Sequence, residues 1–187
     1  MSGTSKAAGP RDRLLDAAER LFYEQGGSVG VSALLEEANV ARRSLYEHFG
    51  GKDGLVAAVL RRASDQDVAW YEDALAGGDG PRDRLLGLFD RLDELMADPA
   101  FRGCRYLGAD RDFADPDHPA HAETEAYRRR IRSLLVRELN ALGHARPQEA
   151  AEQLHLLIEG ALVVGATHQD PHPARVARGL AAIVLDG

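Results

Sequence analysis

The chain has 187 residues, 44% of them hydrophobic and 28% charged, which is an ordinary balance for a globular protein that buries a core. It carries 30 acidic and 23 basic groups, and the resulting net charge of −7 argues against diffuse binding to a polyanion. A single cysteine, Cys104, excludes an internal disulfide and a cysteine metal cluster, and no apolar run approaches the roughly 20 residues that a membrane span requires.

The first fifty residues predict an N-terminal arm and three short helices. The opening segment, residues 1–10, lacks the apolar stretch of a signal peptide, so we expect a disordered arm on a cytoplasmic protein. An amphipathic helix then ends at Gly26, and apolar periodicity predicts two more helices over 31–38 and 41–48. The connection at Asn39 is too short for a long antiparallel pair, which favours a helix-turn-helix with a left-handed residue at the turn.

Helical periodicity continues from Lys52 to the end of the chain. Lys52 opens a long helix, and a short helix is expected near 100–107, followed by a loop. No strand alternation and no internal repeat is present, so the sequence predicts an all-α protein of about nine helices. Helix breakers and first-turn prolines mark the remaining boundaries, at Gly77, Pro81, Gly143, Pro147 and Pro171.

The third predicted helix is locally basic in an otherwise acidic chain. Residues 40–62 contain five basic and two acidic groups. Val40, Leu45 and Phe49 have the spacing of a face that packs into a small core, which leaves the arginines at 42 and 43 outward. In a helix-turn-helix the second helix enters the major groove, where arginine reads guanine through O6 and N7. Base contacts are therefore expected from Arg42, Arg43 and Ser44, and phosphate contacts from Tyr46, His48 and Lys52.

Three short motifs connect this region to a known family. Leu21-Phe22 stands before Gly26, Ala38-Asn39-Val40 forms the turn, and the run Leu-Tyr-x-His-Phe occupies 45–49 ahead of Lys52. With these motifs, residues 11–62 resemble the DNA-binding domain of TetR/AcrR transcriptional regulators. The chain departs from the family pattern where Asn39 replaces the turn glycine, Ala41 replaces a capping Ser or Thr, and Arg43 replaces a glycine.

The resemblance implies a domain organisation and a function. It implies a DNA-binding domain over 11–52, after the arm at 1–10, and a ligand-binding and dimerisation domain over 53–187. The expected function is a sequence-specific regulator that binds double-stranded operator DNA, commonly a repressor that a small-molecule effector releases. No enzymatic activity, cofactor, metal or membrane partner is expected.

The resemblance also implies a homodimer and an effector pocket. The last two helices are the expected interface, because small residues in the run GALVVGA permit close helix approach. The interface candidates are Leu157, Gly160, Ala161, Val164, Gly165, Leu180 and Val184. Aromatic, Met and polar-tipped residues are typical of ligand pockets, although they also fill helical cores. The pocket candidates are Trp70, Phe89, Met96, Cys104, Tyr106, Tyr127, Ile131 and His155.

Two alternative functions remain compatible with the residues. One is a helical protein-binding or sensor module that does not bind DNA. The other is an enzyme built on the acidic, histidine-containing segment 115–123, but its spacing matches no strong metal motif and no nucleophile–base pair accompanies it. Cys104 lies between Arg102 and Arg105, which would favour a thiolate, yet a buried structural thiol is the commoner case and we expect no redox role.

Overall fold

The computed structural model describes residues 9–168 and 172–187. Nine α-helices and no strand lie in this described part of the chain, which confirms the predicted all-α class. No helix among these residues is long and apolar enough to cross a membrane. The helices are α1 (Pro10–Gln25), α2 (Val31–Ala38), α3 (Arg42–Phe49), α4 (Lys52–Ala74), α5 (Pro81–Met96), α6 (Arg105–Asp112), α7 (Pro119–Leu142), α8 (Pro147–His168) and α9 (His172–Leu185). Pro171, which was expected to break the chain before the last helix, lies outside the described residues.

The short helix predicted near 100–107 is wrong in position, because α6 begins only at Arg105. Residues 101–104 are not helical, and Gly103 has a φ of 91°, in the left-handed region. A Cβ added to Gly103 would lie 2.8 Å from the Cβ of Ala166 on α8. Position 103 therefore suits glycine both for its backbone conformation and for its close approach to α8, and α6 begins two residues later.

The chain divides into two compact units. Of the described residues, the first unit contains those from 9 to 63 together with Arg105–Thr124, and the second contains Ser64–Cys104 and those within 125–187. The helix-turn-helix and α6 therefore belong to the same unit, although α6 lies in the region that the resemblance assigned to the ligand-binding domain. Helices α4 and α7 each contribute residues to both units.

Each unit has its own buried apolar side chains. In the first unit, leucines of α1, α2, α3 and α4 form one cluster, with Val40 and Phe49 packed against it. In the second unit, α9 packs against α5 and α8, and Arg84 donates 2.7 Å to the buried carboxylate of Glu138. The fully buried leucines of the first cluster include Leu14, Leu34, Leu45 and Leu55.

Candidate nucleic-acid interface

The turn between α2 and α3 is closed by backbone hydrogen bonds around Asn39. This residue has φ 49° and ψ 56°, the left-handed conformation expected from the sequence. Its N–H donates a hydrogen bond of 3.0 Å to the Glu36 carbonyl, and the Val40 N–H donates one of 3.1 Å to the Leu35 carbonyl. This pair of bonds is a Schellman motif, and it satisfies carbonyls that the end of α2 would otherwise leave without partners. The motif fixes the direction in which α3 leaves α2.

Helix α3 has one buried face and one exposed face. Leu45 is fully buried, and Phe49 packs against the same apolar cluster. Ser44, one of the three predicted base contacts, is half-buried and therefore less accessible than the two arginines. The exposed residues of α3 are Arg42, Arg43, Tyr46, Glu47 and His48.

The two arginines differ in their surroundings. Arg43 Nε donates a hydrogen bond of 2.5 Å to Oε1 of Glu47, which lies one helical turn further along α3. In the described part of the chain, Arg42 has no ion-pair partner within 4.0 Å. Sequence reasoning missed Glu47, although its spacing of four residues from Arg43 is a recognisable signal for a helical ion pair.

The starts of α2 and α3 suit phosphate binding. The residues before them, Gly30 and Ala41, supply no side-chain cap, as predicted for Ala41, and neither helix has an acidic residue in its first turn. Their first N–H groups therefore keep the partial positive charge of a helix N-terminus, which favours an anionic group.

The three predicted phosphate contacts have different environments. Tyr46 and His48 are exposed on α3, and the His48 ring meets the Phe49 ring edge-on at a centroid distance of 6.2 Å. Lys52 is half-buried at the start of α4, and its Nζ donates 2.6 Å to the carbonyl of Gly27. One donor of this ammonium thus ties α4 to the turn that precedes α2.

The same glycine is held from its other side by residues around the end of α6. The Gly27 N–H donates a hydrogen bond of 2.6 Å to Oδ2 of Asp112. A Cβ at position 27 would lie 2.8 Å from Cζ of Phe113. We call Lys52, Asp112 and Phe113 the turn clamp. It positions the α1–α2 turn from two helices that are distant in sequence, and nothing in local periodicity indicates it.

Two histidines of the acidic segment 115–123 make contacts that tie it to the end of α6. His118 stacks on Phe113 at a centroid distance of 4.0 Å, and its Nδ1 accepts a 3.1 Å hydrogen bond from the Ala120 N–H. His121 Nδ1 lies 2.9 Å from Oδ1 of Asp110, while its Nε2 faces the carbonyl of Phe113 at 2.8 Å.

Acceptors at both ring nitrogens favour the doubly protonated form of His121. The hydrogen bond with Asp110 is the main cause that raises its pKa, and the backbone carbonyls act in the same direction. Among the described residues, no group of three or more His, Cys, Asp or Glu side chains is placed to hold a metal ion.

Comparison with known proteins decides the family. A sequence profile described as "Bacterial regulatory proteins, tetR family" matches residues 14–59. Over 185 residues the chain is 30% identical to the HTH-type transcriptional regulator BetI of Burkholderia thailandensis, covering 94% of this chain and 91% of that protein. The chain belongs to the tetR family. It is therefore a DNA-binding transcriptional regulator, and the resemblance seen in the sequence is confirmed.

Two further proteins are similar to this chain, one compared by sequence and one by structure. Over 86 residues this chain is 34% identical to the HTH-type transcriptional repressor KstR2 of Mycolicibacterium smegmatis. The match covers 46% of this chain and 42% of that protein. The crystal structure of a tetR-type regulator from Streptomyces avermitilis superposes with a TM-score of 0.86 at 34% identity, covering 96% of this chain and 97% of that one.

The pocket candidates of this tetR-family chain are distributed over both units. Tyr106 is buried in the first unit, whereas the other seven belong to the second. Phe89, Met96 and Ile131 are buried side chains of the second unit, and Trp70 is half-buried with Arg91 5.9 Å from its ring.

Polar groups come together within the second unit around Glu159, which the sequence did not single out. Cys104 Sγ lies 3.6 Å from Oε1 of Glu159, and His155 Nε2 lies 3.7 Å from the same oxygen. Nearby on the same unit, the buried Tyr71 hydroxyl hydrogen-bonds with Tyr127, and burial raises the pKa of Tyr71. We call these five residues the polar cluster.

The interface candidates separate into exposed and buried positions. Gly160, Val164 and Leu180 are exposed, Leu157 and Val184 are half-buried, and Ala161 and Gly165 are buried. Sequence reasoning missed the most exposed apolar side chains of α8 and α9, which are Leu156 at 73%, Ile183 at 69% and Val176 at 65% exposure. Large apolar side chains so exposed on two adjacent helices are typical of a protein–protein contact surface.

Proposed function

We propose that the protein is a homodimeric repressor that binds operator DNA through α3 and is released by a small-molecule effector. The observation that carries this proposal is the outward face of α3, where adjacent arginines project from a helix whose other side is fixed in the core. Arginine is the side chain best suited to guanine in the major groove. The repressor name of the Mycolicibacterium relative supports the direction of regulation.

The exposed apolar face of α8 and α9 supports the dimer. Two DNA-binding domains are needed because helix-turn-helix dimers commonly recognise two half-sites about 34–36 Å apart on DNA, one half-site for each domain. A two-fold contact through α8 and α9 would remove Leu156, Val176 and Ile183 from water, and the bare surfaces of Gly160 and Gly179 would allow close helix approach. Ala161 and Gly165, being buried, would then pack within one subunit instead.

The polar cluster supports an effector site in the second unit. Buried hydroxyl and imidazole groups lie close to the half-buried thiol of Cys104 and carboxylate of Glu159, and together they offer hydrogen bonds to a ligand that has polar atoms. An effector that prefers one arrangement of the dimer shifts the population and so changes operator affinity. Helix α4 connects the two proposed functions along the chain, because it begins in the first unit and ends in the second.

Selection from random double-stranded DNA tests the DNA-binding proposal. The wild-type protein should enrich a near-palindromic sequence, and Arg42→Ala or Arg43→Ala should each weaken binding to it by about 1–3 kcal/mol while relaxing the preference at one position per half-site. Arg129→Ala, which removes an exposed arginine from α7, serves as the matched control and should leave selection unchanged. A wild-type protein that enriches no sequence would favour the module without DNA binding.

A further inference from the structure

Glu47 is the single acidic residue of α3, and it lies on the exposed face beside the arginines. A carboxylate on a surface that approaches DNA is unfavourable, because phosphates carry the same sign of charge. Its neighbour Arg43 neutralises it through the 2.5 Å contact between Nε and Oε1.

Helix stability does not account for this pair. An exposed ion pair four residues apart contributes only about 0.3–0.5 kcal/mol. The order is also the weaker one, since an acid placed N-terminal to its basic partner is favoured, and here Arg43 comes first. The arginine lies in the first turn and the carboxylate in the last turns of α3, so both charges oppose the helix dipole.

The atoms that are paired indicate a different use. Glu47 contacts Nε, while a bidentate contact with guanine O6 and N7 can be made end-on by the two Nη groups. The Arg43 side chain remains 86% exposed despite the pair, and that of Glu47 is 51% exposed. A carboxylate held on Nε restricts the guanidinium and leaves its outer edge available.

We propose that Glu47 is a positioning residue that presents Arg43 to a guanine, so that the pair acts as one specificity determinant in each half-site. The proposal rests on the proposed DNA-binding function. A free arginine loses rotamer freedom when it binds a base, and a partner that already restrains it reduces that loss. This gain applies only where Arg43 binds a guanine, so Glu47 increases discrimination between bases and adds no affinity for DNA in general.

Two other roles for Glu47 predict different results. Glu47 could accept a hydrogen bond from the amino group of cytosine, in which case a cytosine preference disappears even when Arg43 is absent. Alternatively its charge only repels phosphate, in which case its removal tightens binding to all DNA alike. Glu36, an exposed acid on α2, provides a matched control for charge alone.

The test is selection from randomised double-stranded DNA by the full-length wild type, Glu47→Gln, Glu47→Ala, Arg43→Ala and the Glu47→Ala/Arg43→Ala double variant, with Glu36→Ala alongside. Affinities are then measured for the selected DNA and for its guanine-to-adenine variant. The wild type should prefer guanine at one position, and Glu47→Ala should lower that preference about tenfold. Glu47→Gln should retain part of it, because its amide oxygen still accepts from Nε, and the double variant should match Arg43→Ala.

Three results would overturn the inference. One is an unchanged guanine preference in Glu47→Ala. A second is a uniform gain in affinity equal to that of Glu36→Ala. The third is loss of a cytosine preference in both Arg43 backgrounds. If the wild type enriches a sequence and any of these occurs, only the role of Glu47 fails. If the wild type enriches no sequence, the proposed function fails as well.

Discussion

Asn39 shows how a single backbone conformation supports the recognition surface. Its φ of 49° places it in a region where most residues are strained, and the two hydrogen bonds that orient α3 depend on that conformation. Asparagine tolerates the left-handed region better than other residues with a Cβ, but less well than glycine. The departure from the turn glycine of the family pattern therefore keeps the geometry at some cost in stability.

Substitutions at Asn39 should separate these effects. Asn39→Gly should keep or slightly raise the free energy of unfolding, whereas Asn39→Ala should lower it by about 1 kcal/mol because alanine lacks both the freedom of glycine and the local bonding of asparagine. Urea unfolding measures both values. Equal stability of the glycine and alanine variants would show that the left-handed conformation is not required.

Gly54 is required for a different reason, since its φ is ordinary and the constraint is contact. A Cβ at this position would lie 1.9 Å from the carbonyl oxygen of Phe49, the last residue of α3. Gly54→Ala should therefore push α4 away from α3 and destabilise the first unit by about 1–3 kcal/mol. Gly87→Ala on α5, where a Cβ meets no atom within 4 Å, is the matched control and should stabilise its helix by up to about 1 kcal/mol. Thermal unfolding that shifts equally for both variants would contradict the expected clash.

At the scale of the elements, local pattern predicted most of the helices and their exposed faces. The predicted range of α3 differs from the observed one by one residue at each end, and Leu45 and Phe49 face the core as their spacing indicated. Apolar periodicity and glycine breakers act over a few residues, so they can be read without knowledge of the rest of the fold.

Long-range contacts explain what the sequence could not indicate. Gly103, two residues before α6 begins, closely approaches Ala166, which is 63 residues away in sequence. The clamp on Gly27 likewise comes from Asp112, 85 residues away. Such contacts leave no periodic trace, and neither does the membership of α6 in the first unit. The polar cluster around Glu159 was only partly foreseen for the same reason.

The clamp predicts an effect of α6 on the α1–α2 turn. Asp112→Ala removes the acceptor of the 2.6 Å bond from the Gly27 N–H and should lower the stability of the first unit by about 1 kcal/mol. Asp112→Asn keeps an acceptor oxygen and should be milder. Asp117→Ala, an exposed acid a few residues further along, is the control. Hydrogen exchange of the Gly27 amide gives the local readout, and protection that persists in Asp112→Ala would exclude the clamp.

At the scale of the whole molecule, the exposed apolar face of α8 and α9 predicts a dimer that one charge can break. Ile183→Glu places a carboxylate on that face, and burying it without a partner is unfavourable by several kcal/mol. The variant should sediment as a monomer at concentrations where the wild type is dimeric. Leu95→Glu, on an exposed position of α5, is the matched control and should leave the sedimentation coefficient unchanged. A dimeric Ile183→Glu variant would place the interface elsewhere.

The two units should respond to pH in opposite senses. His121 in the first unit has a raised pKa, so its contribution is fully present below its unfolded pKa of about 6.5 and is lost as the pH rises through the raised value. His155 in the second unit is buried, and desolvation is the main cause that lowers its pKa to about 4, with Arg132 and Arg128 acting in the same direction and Glu125 opposing. The folded state keeps His155 neutral, so its contribution to stability is present above a pH of about 6.5 and is lost as the pH falls toward about 4.

The His155 response can be isolated because Trp70, the single tryptophan, belongs to the second unit. Between pH about 6.5 and 4 the unfolded state binds a proton that the folded state excludes, so stability falls with pH by up to about 3 kcal/mol. Urea unfolding followed by Trp70 fluorescence should show this loss in the wild type and a flatter profile in His155→Gln. His121→Gln should keep the acid loss, since it alters only the first unit. An acid loss of equal size in His155→Gln would assign the effect to other groups.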